Sequence, residues 1–312
     1  MLSNVLVGVD GRQGGRDAIA LARELAAPGA AITLVHVYGS DWVLGRGAGL
    51  AVAMAREDAG RLLVTARHEA DIDAGLLCSP LTPPARGLHE VAEQRGADLL
   101  VVGSSRHALL GRALIGDDTR AALNGAPCAI AIAPRGYTQT DHRFRKLGVG
   151  YDGTREAEAA LALARVLADR HDAAIRAMWV VSFQNVKDAS PLHADWPQAI
   201  EVLVSHCRGE LERLGGVEAD ATYGGPREEL SRLGGEVDLL IVGSRAYGPV
   251  HRLFHGTTST YLMRHMGCPL LVLPRVAEAA EADETVRASQ IAADPREPTV
   301  QARGDGWLGA QR

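Results

Sequence analysis

Val5 to Gly11 reads VLVGVDG, and Lys146 to Gly153 reads KLGVGYDG. Each is a short apolar run closed by Asp-Gly. A second matched pair follows downstream, DLLVVGS from Asp98 to Ser104 and DLLIVGS from Asp238 to Ser244. Asp98 and Asp238, Gly103 and Gly243, Gly116 and Gly256, and Cys128 and Cys268 all stand 140 residues apart, while Asp10 and Asp152 stand 142 apart. A repeat of this length is a whole domain with its own core, not a solenoid unit. The two copies therefore serve as internal controls for one another.

Outward from Val5, apolar β-prone runs fall near 4–9, 31–37, 72–78, 98–103 and 128–133, with helical patterns near 14–27, 50–70, 85–95 and 114–123 between them. The second copy repeats the order, with strands near 146–151, 174–181, 217–222, 238–242 and 269–273 and helices near 154–169, 197–214, 226–233 and 257–266. Runs such as LLVVG lack polar alternation, so both faces are buried, as in a parallel sheet covered by helices on each side. The fold class is α/β, as two tandem doubly wound five-stranded parallel sheets of flavodoxin-like or Rossmann-like type. The first domain is read as residues 1–135 and the second as 146–275. Residues 136–145 lie in the polar, aperiodic stretch PRGYTQTDHRFR and are read as a linker. Residues 276–312 carry few apolar side chains and no strand signal, which predicts a flexible tail.

Composition narrows the function classes. With 312 residues, 46% hydrophobic and 23% charged, the chain is long enough for two cores. The formal net charge of −5 is mild and the basic residues do not cluster, so a nucleic-acid partner is not expected. The N-terminus enters a strand directly, and no apolar run reaches the length of a membrane span, so a cytoplasmic location without membrane attachment is expected. Cys78, Cys128, Cys207 and Cys268 are scattered, without a CxxC pair, and read as reduced, buried thiols. His251 and His255 are four apart, but Gly256 follows, and no metal site is assigned. The glycine-rich crossover WVLGRGAG from Trp42 to Gly49 reads as a connection ahead of a helix.

The chemistry concentrates after the fourth strand of each copy. There a glycine, Gly103 or Gly243, is followed by about a dozen residues, then by Gly-Asp-Asp-Thr or Gly-Thr-Thr-Ser, then by a helical pattern. Such a loop suits a polyphosphate. Glycine lets backbone approach the ligand, the first amides of a helix are unpaired and carry partial positive charge, and Thr or Ser hydroxyls add donors. In a doubly wound sheet the loop lies beside the end of the first strand, where Asp10 or Asp152 can accept hydrogen bonds from a base or a sugar.

On these residues the chain resembles the universal stress protein family, in tandem form. Nucleotide-binding members carry Gly, two residues, Gly, nine residues, then Gly followed by Ser or Thr, after a first strand ending in Asp. GSRAYGPVHRLFHGTTS, from Gly243 to Ser259, matches with Ala246 in place of the second glycine. GSSRHALLGRALIGDDT, from Gly103 to Thr119, departs twice, with Arg106 at the second glycine and Asp117 at the Ser/Thr position. The resemblance implies ATP, with or without Mg, in the second copy: Asp152 for the nucleoside, the Val180 backbone for adenine, and Gly243, Ala246, Gly256, Thr257 and Thr258 along the phosphates. Weaker counterparts are Asp10, Val37, Gly103 and Gly116. A carboxylate at Asp117 would repel phosphate by about 1 kcal/mol in water and by more in a cleft. An Arg106–Asp117 ion pair is expected in its place.

The resemblance also implies that the last strands, Cys128–Ala133 and Cys268–Leu273, meet as an intramolecular pseudo-dimer, with a further homodimer left open. The expected function is a stress-response protein that binds an adenine nucleotide as a regulatory switch and acts on a protein partner of unknown identity. No catalytic residues are assigned, because the chain lacks the Gly-x4-Gly-Lys-Ser/Thr lysine, paired metal-binding acids and a base-flanked nucleophile; any ATP turnover is expected to be slow. Two alternatives stand beside it: a nucleotide-independent signalling or scaffold module, and an adenylyl-transfer enzyme, for which reactive His or Lys residues beside the α-phosphate are missing.

Overall fold

Val5, Leu6 and Val7 are all fully buried, with Val5 and Val7 joining one apolar layer and Leu6 the other. That is how a strand buried on both faces behaves. The computed structural model describes residues 2–38, 48–80, 83–104, 107–109, 112–114, 121–122, 125–139, 143–189, 196–244 and 257–274. The expected tail falls outside these residues.

The first half runs β1 (Asn4–Gly8), α1 (Gln13–Leu25), β2 (Ala31–Val37), α2 (Ala48–Glu69), β3 (Gly75–Ser79), α3 (Pro84–Arg95), β4 (Leu99–Gly103), β5 (His107–Leu109), β6 (Arg112–Leu114) and β7 (Ala129–Ala133). The second runs β8 (Lys146–Tyr151), α4 (Arg155–His171), β9 (Ala174–Val181), α5 (Phe183–Ala189), α6 (Trp196–Leu214), β10 (Glu218–Tyr223), α7 (Pro226–Gly234), β11 (Leu239–Gly243), α8 (Thr257–His265) and β12 (Leu270–Leu273).

Each half is a parallel sheet, in the order β3-β2-β1-β4-β7 or β10-β9-β8-β11-β12. The halves do not remain separate sheets. Strands β7 and β12 pair antiparallel, Ile130 with Val272, Ala131 with Leu271 and Ile132 with Leu270, giving one ten-stranded sheet. Ala131 and Leu271 are counterparts under the 140-residue offset, so the pseudo-two-fold axis passes through their pair. One apolar layer is continuous across it, from Val5 and Leu21 to Leu147 and Leu167.

The repeated Asp of the DLL motifs has a structural role in both copies. Asp98 accepts hydrogen bonds from Ser3 N (2.9 Å) and Asn4 N (3.0 Å), and Asp238 accepts from Arg145 N and Lys146 N, both at 2.8 Å. Each carboxylate fixes the entry of its first strand beside its fourth.

Two elements differ from the sequence reading. The antiparallel pair β5–β6, in register His107 with Leu114, is absent from the sequence reading, since HAL and RAL are too short to repeat an apolar position every three or four residues; of the helix expected near 114–123, Leu114 ends β6, residues 121–122 are helical and the rest lie outside the described residues. In the second half α5 follows β9 directly. Its start is a capping box, with Asn185 Oδ1 accepting from Ser182 N (2.8 Å) and Ser182 Oγ (2.6 Å). The linker is also more than a polar tether: Tyr137, in a 3-10 turn, and Phe144 are buried in the shared layer, and the Phe144 ring lies 4.9 Å from that of His171.

Candidate functional site

In each half the second, first and fourth strands lie side by side, so their carboxyl ends meet at the switch point of the sheet. Tyr151 pairs with Trp179 at the end of β8, and continuing that register by one residue sets Asp152 opposite Val180. Gly243 ends the neighbouring β11. Asp152, Val180 and Gly243 are thus brought to one edge. The first half does the same with Asp10, Val37 and Gly103 at the ends of β1, β2 and β4.

The two aspartates are held differently. Asp152 Oδ1 accepts from Thr154 N (3.1 Å) and Thr154 Oγ1 (2.6 Å), and the Thr154 hydroxyl in turn caps α4 by accepting from Ala157 N (3.3 Å). Asp10 has Arg12 where Asp152 has Thr154, so its own Oδ1 takes the helix amides, from Arg12 N (3.0 Å) and Gly15 N (3.2 Å). Thr154 is a site residue that the sequence reading missed, although a Thr ahead of a helical pattern is a cap signal. The Asp-Gly step is common to both copies. Gly11 (φ +71°) and Gly153 (φ +76°) turn the chain from strand to helix, and Trp179 packs over Gly153. In the first half His36 stands in place of Trp179, its Nδ1 2.6 Å from the Val9 carbonyl oxygen.

The strand-ending glycines are packed against a helix start. A Cβ on Gly103 would lie 2.0 Å from the Gly14 carbonyl oxygen, and one on Gly243 would lie 2.6 Å from Glu156 Cβ and 2.8 Å from its carbonyl carbon. Helix packing alone therefore requires glycine at both positions. It also sets an acidic residue, Glu156, beside Gly243, where the first half has Gly14.

Thr257 opens α8; Thr258 is partly buried and Ser259 is buried. Ser104 and Ser244, just beyond the fourth strands, are buried and donate their amides to Ala133 O (2.9 Å) and Leu273 O (3.0 Å). Ala246, Gly256 and Gly116, the Arg106–Asp117 pair, and His251 with His255 lie outside the described residues.

Comparison with known proteins bears on this arrangement. The sequence model described as Universal stress protein family matches residues 1–134 and 143–274. The chain belongs to the universal stress protein family. It carries two tandem copies of the universal stress protein domain, which support an intramolecular pseudo-dimer. A universal stress protein of Mycobacterium tuberculosis is 30% identical over 202 residues, covering 60% of this chain and 68% of that protein. One from Thermus aquaticus is 28% identical over 137 residues, 42% of this chain and 98% of that protein. Among solved structures, a universal stress protein from Archaeoglobus fulgidus has a TM-score of 0.62 at 17% identity, covering 88% of this chain and all of that one (100%). The likeness extends to the fold.

Away from these strand ends, two hollows of about 510 and 430 Å³ flank α1. Neither is lined by a candidate residue; Arg23 and Glu24 border both. All four cysteines are free thiols, with Cys128 and Cys207 buried and Cys78 and Cys268 partly so. Among the described residues there is no group of three or more His, Cys, Asp or Glu side chains arranged to hold a metal. No described helix is long and apolar enough to cross a membrane.

Proposed function

We propose that this universal stress protein binds ATP or another adenine nucleotide, mainly in its second half, and that occupancy acts as a regulatory switch. The observation that carries the reading is the convergence of Asp152, the Val180 backbone and Gly243 at the switch point, with a Thr-Thr-Ser helix start downstream of Gly243. Asp152, oriented by Thr154, would accept hydrogen bonds from the nucleoside. Val180 would offer main-chain groups to adenine. The start of α8 would supply amides and hydroxyls to phosphate oxygens, with Gly256, Thr257 and Thr258 as the near residues and Ala246 along the loop. The first half, with Asp10, Val37, Gly103 and Gly116, would bind more weakly, because Asp117 brings a carboxylate to the position of a phosphate-binding hydroxyl. Mg on the phosphates would offset the charge of Glu156 beside Gly243. The location would be cytoplasmic and the output a protein partner.

A second reading, a signalling or scaffold module without nucleotide, is favoured by one observation: contact with Glu156 already accounts for the missing side chain at Gly243. Equilibrium binding of labelled ATP separates the two. The switch reading expects a dissociation constant tighter than about 1 mM, roughly −4 kcal/mol. It also expects binding to be lost in Gly256→Glu, weakened in Asp152→Ala and unreduced in Asp117→Ser. Binding that survives Gly256→Glu would move the site elsewhere; absence of binding to the parent protein at millimolar ATP would leave the scaffold.

A further inference from the structure

Asp17, on the second turn of α1, is fully buried, and its carboxylate is turned to the segment that joins the two halves. Oδ2 accepts from Gly136 N at 2.8 Å. Oδ1 accepts from Thr138 N at 2.9 Å, from Thr138 Oγ1 at 3.0 Å and from Gln13 Nε2 at 2.9 Å. Gln13 Nε2 also donates to Thr138 Oγ1 at 2.7 Å. The directions close without conflict: the Thr138 hydroxyl accepts from Gln13 and passes its own proton to Asp17. Between the two anchored residues, Tyr137 is carried into the core.

We propose that Asp17 is a latch that makes the connection a fixed part of the first half, so that the seam between the halves closes in one geometry. Three observations carry this. Every group that meets the carboxylate is a donor, so the site demands an acceptor at both oxygens, and asparagine would turn an NH2 toward one of those donors. A carboxylate removed from water is tolerated only while such donors surround it, and two of the three residues that supply them belong to the connection. Undocking the connection would strand the charge, so docking is strongly favoured over partial release. The second copy supplies the control: the position 142 residues on is Ala159, whose side chain offers no acceptor on the corresponding helix. The latch also reaches the first half's switch point, because Gln13 precedes Gly14, whose carbonyl abuts Gly103.

Trypsin digestion of the folded, full-length protein tests the proposal, since Arg135, Arg143 and Arg145 all lie in the connection. In Asp17→Asn, cleavage after these residues should accelerate by about tenfold or more, with cleavage after Arg213 and Arg232 in the second half unchanged and far-ultraviolet circular dichroism retained. Thr138→Val removes only the hydroxyl and should give a smaller rise at the same bonds. Equal rates in parent and Asp17→Asn would overturn the latch. A uniform rise at all sites would also overturn it, by making Asp17 a general stability residue. If Asp17→Asn does not fold, Thr138→Val decides, and parent-like cleavage of that variant sinks the proposal.

Discussion

Gly103 and Gly243 are equivalent in sequence, yet different neighbours hold each of them to glycine. At Gly103 an added methyl would meet a backbone oxygen at 2.0 Å; at Gly243 it would meet another side chain's Cβ at 2.6 Å. Both clashes are with atoms fixed to the start of a helix, since the Glu156 carbonyl carbon also lies at 2.8 Å, but the approach at Gly103 is the closer. Gly243→Ala should therefore cost about 1–3 kcal/mol, the usual overpacking range, and Gly103→Ala more than that. Urea denaturation of both variants measures the difference, and equal losses would show that the start of α1 can shift after all. Cys128 offers a second test at this scale. Burial pushes its thiol up to about 12, so little thiolate forms near neutrality. Iodoacetamide at about pH 8 should leave Cys128 unmodified in the folded protein and label it in urea, where its acidity returns toward the ordinary thiol range. Labelling of the folded protein at the unfolded rate would contradict its burial.

Strands were legible because they bury both faces: LLVVG and LLIVG are short, β-branched apolar runs bounded by Asp and Gly, and β4 and β11 lie within a residue of their expected bounds. The short elements were not. Helix α5 has only seven residues, too few for an apolar repeat, and its one readable sign was the spacing of Ser182 and Asn185. Helix α2 lies where it is expected, although its apolar Leu50 and Met54 are 69% and 58% exposed. Caps follow the same local logic. Thr154 both caps α4 and fixes Asp152, so Thr154→Ala should lower stability by about 1 kcal/mol and weaken nucleotide affinity together. Thr154→Ser, which keeps the hydroxyl, should restore both. Stability lost with affinity intact would separate the cap from the site.

At the scale of the molecule, pairing of β7 with β12 and the meeting of Asp152 with Val180 could both be anticipated from the resemblance. The burial of Asp17 could not, because an Asp on a helical pattern reads as solvent-facing until the connection is folded onto it. Nor could the contact of Glu156 with Gly243, which needs the packing of α4 on β11. The shared core makes one pH prediction. Burial raises the Cys128 thiol to about 12 and shifts the Tyr137 phenol upward as well, so both stay protonated in the folded chain beyond the pH at which they ionise when unfolded. Their contribution is complete below about pH 9 and declines as pH climbs through the folded values, at about 1.4 kcal/mol per pH unit for each group. The urea midpoint should fall steadily above about pH 9, and Cys128→Ala should make that fall shallower. A midpoint that stays level to about pH 11 would argue against both burials. The antiparallel seam at Ala131 and Leu271 has one last consequence. In an assembly of two identical chains any substitution strikes both switch points, whereas here a single codon alters one of them. The two can differ within every molecule, in a fixed one-to-one stoichiometry that dilution cannot change.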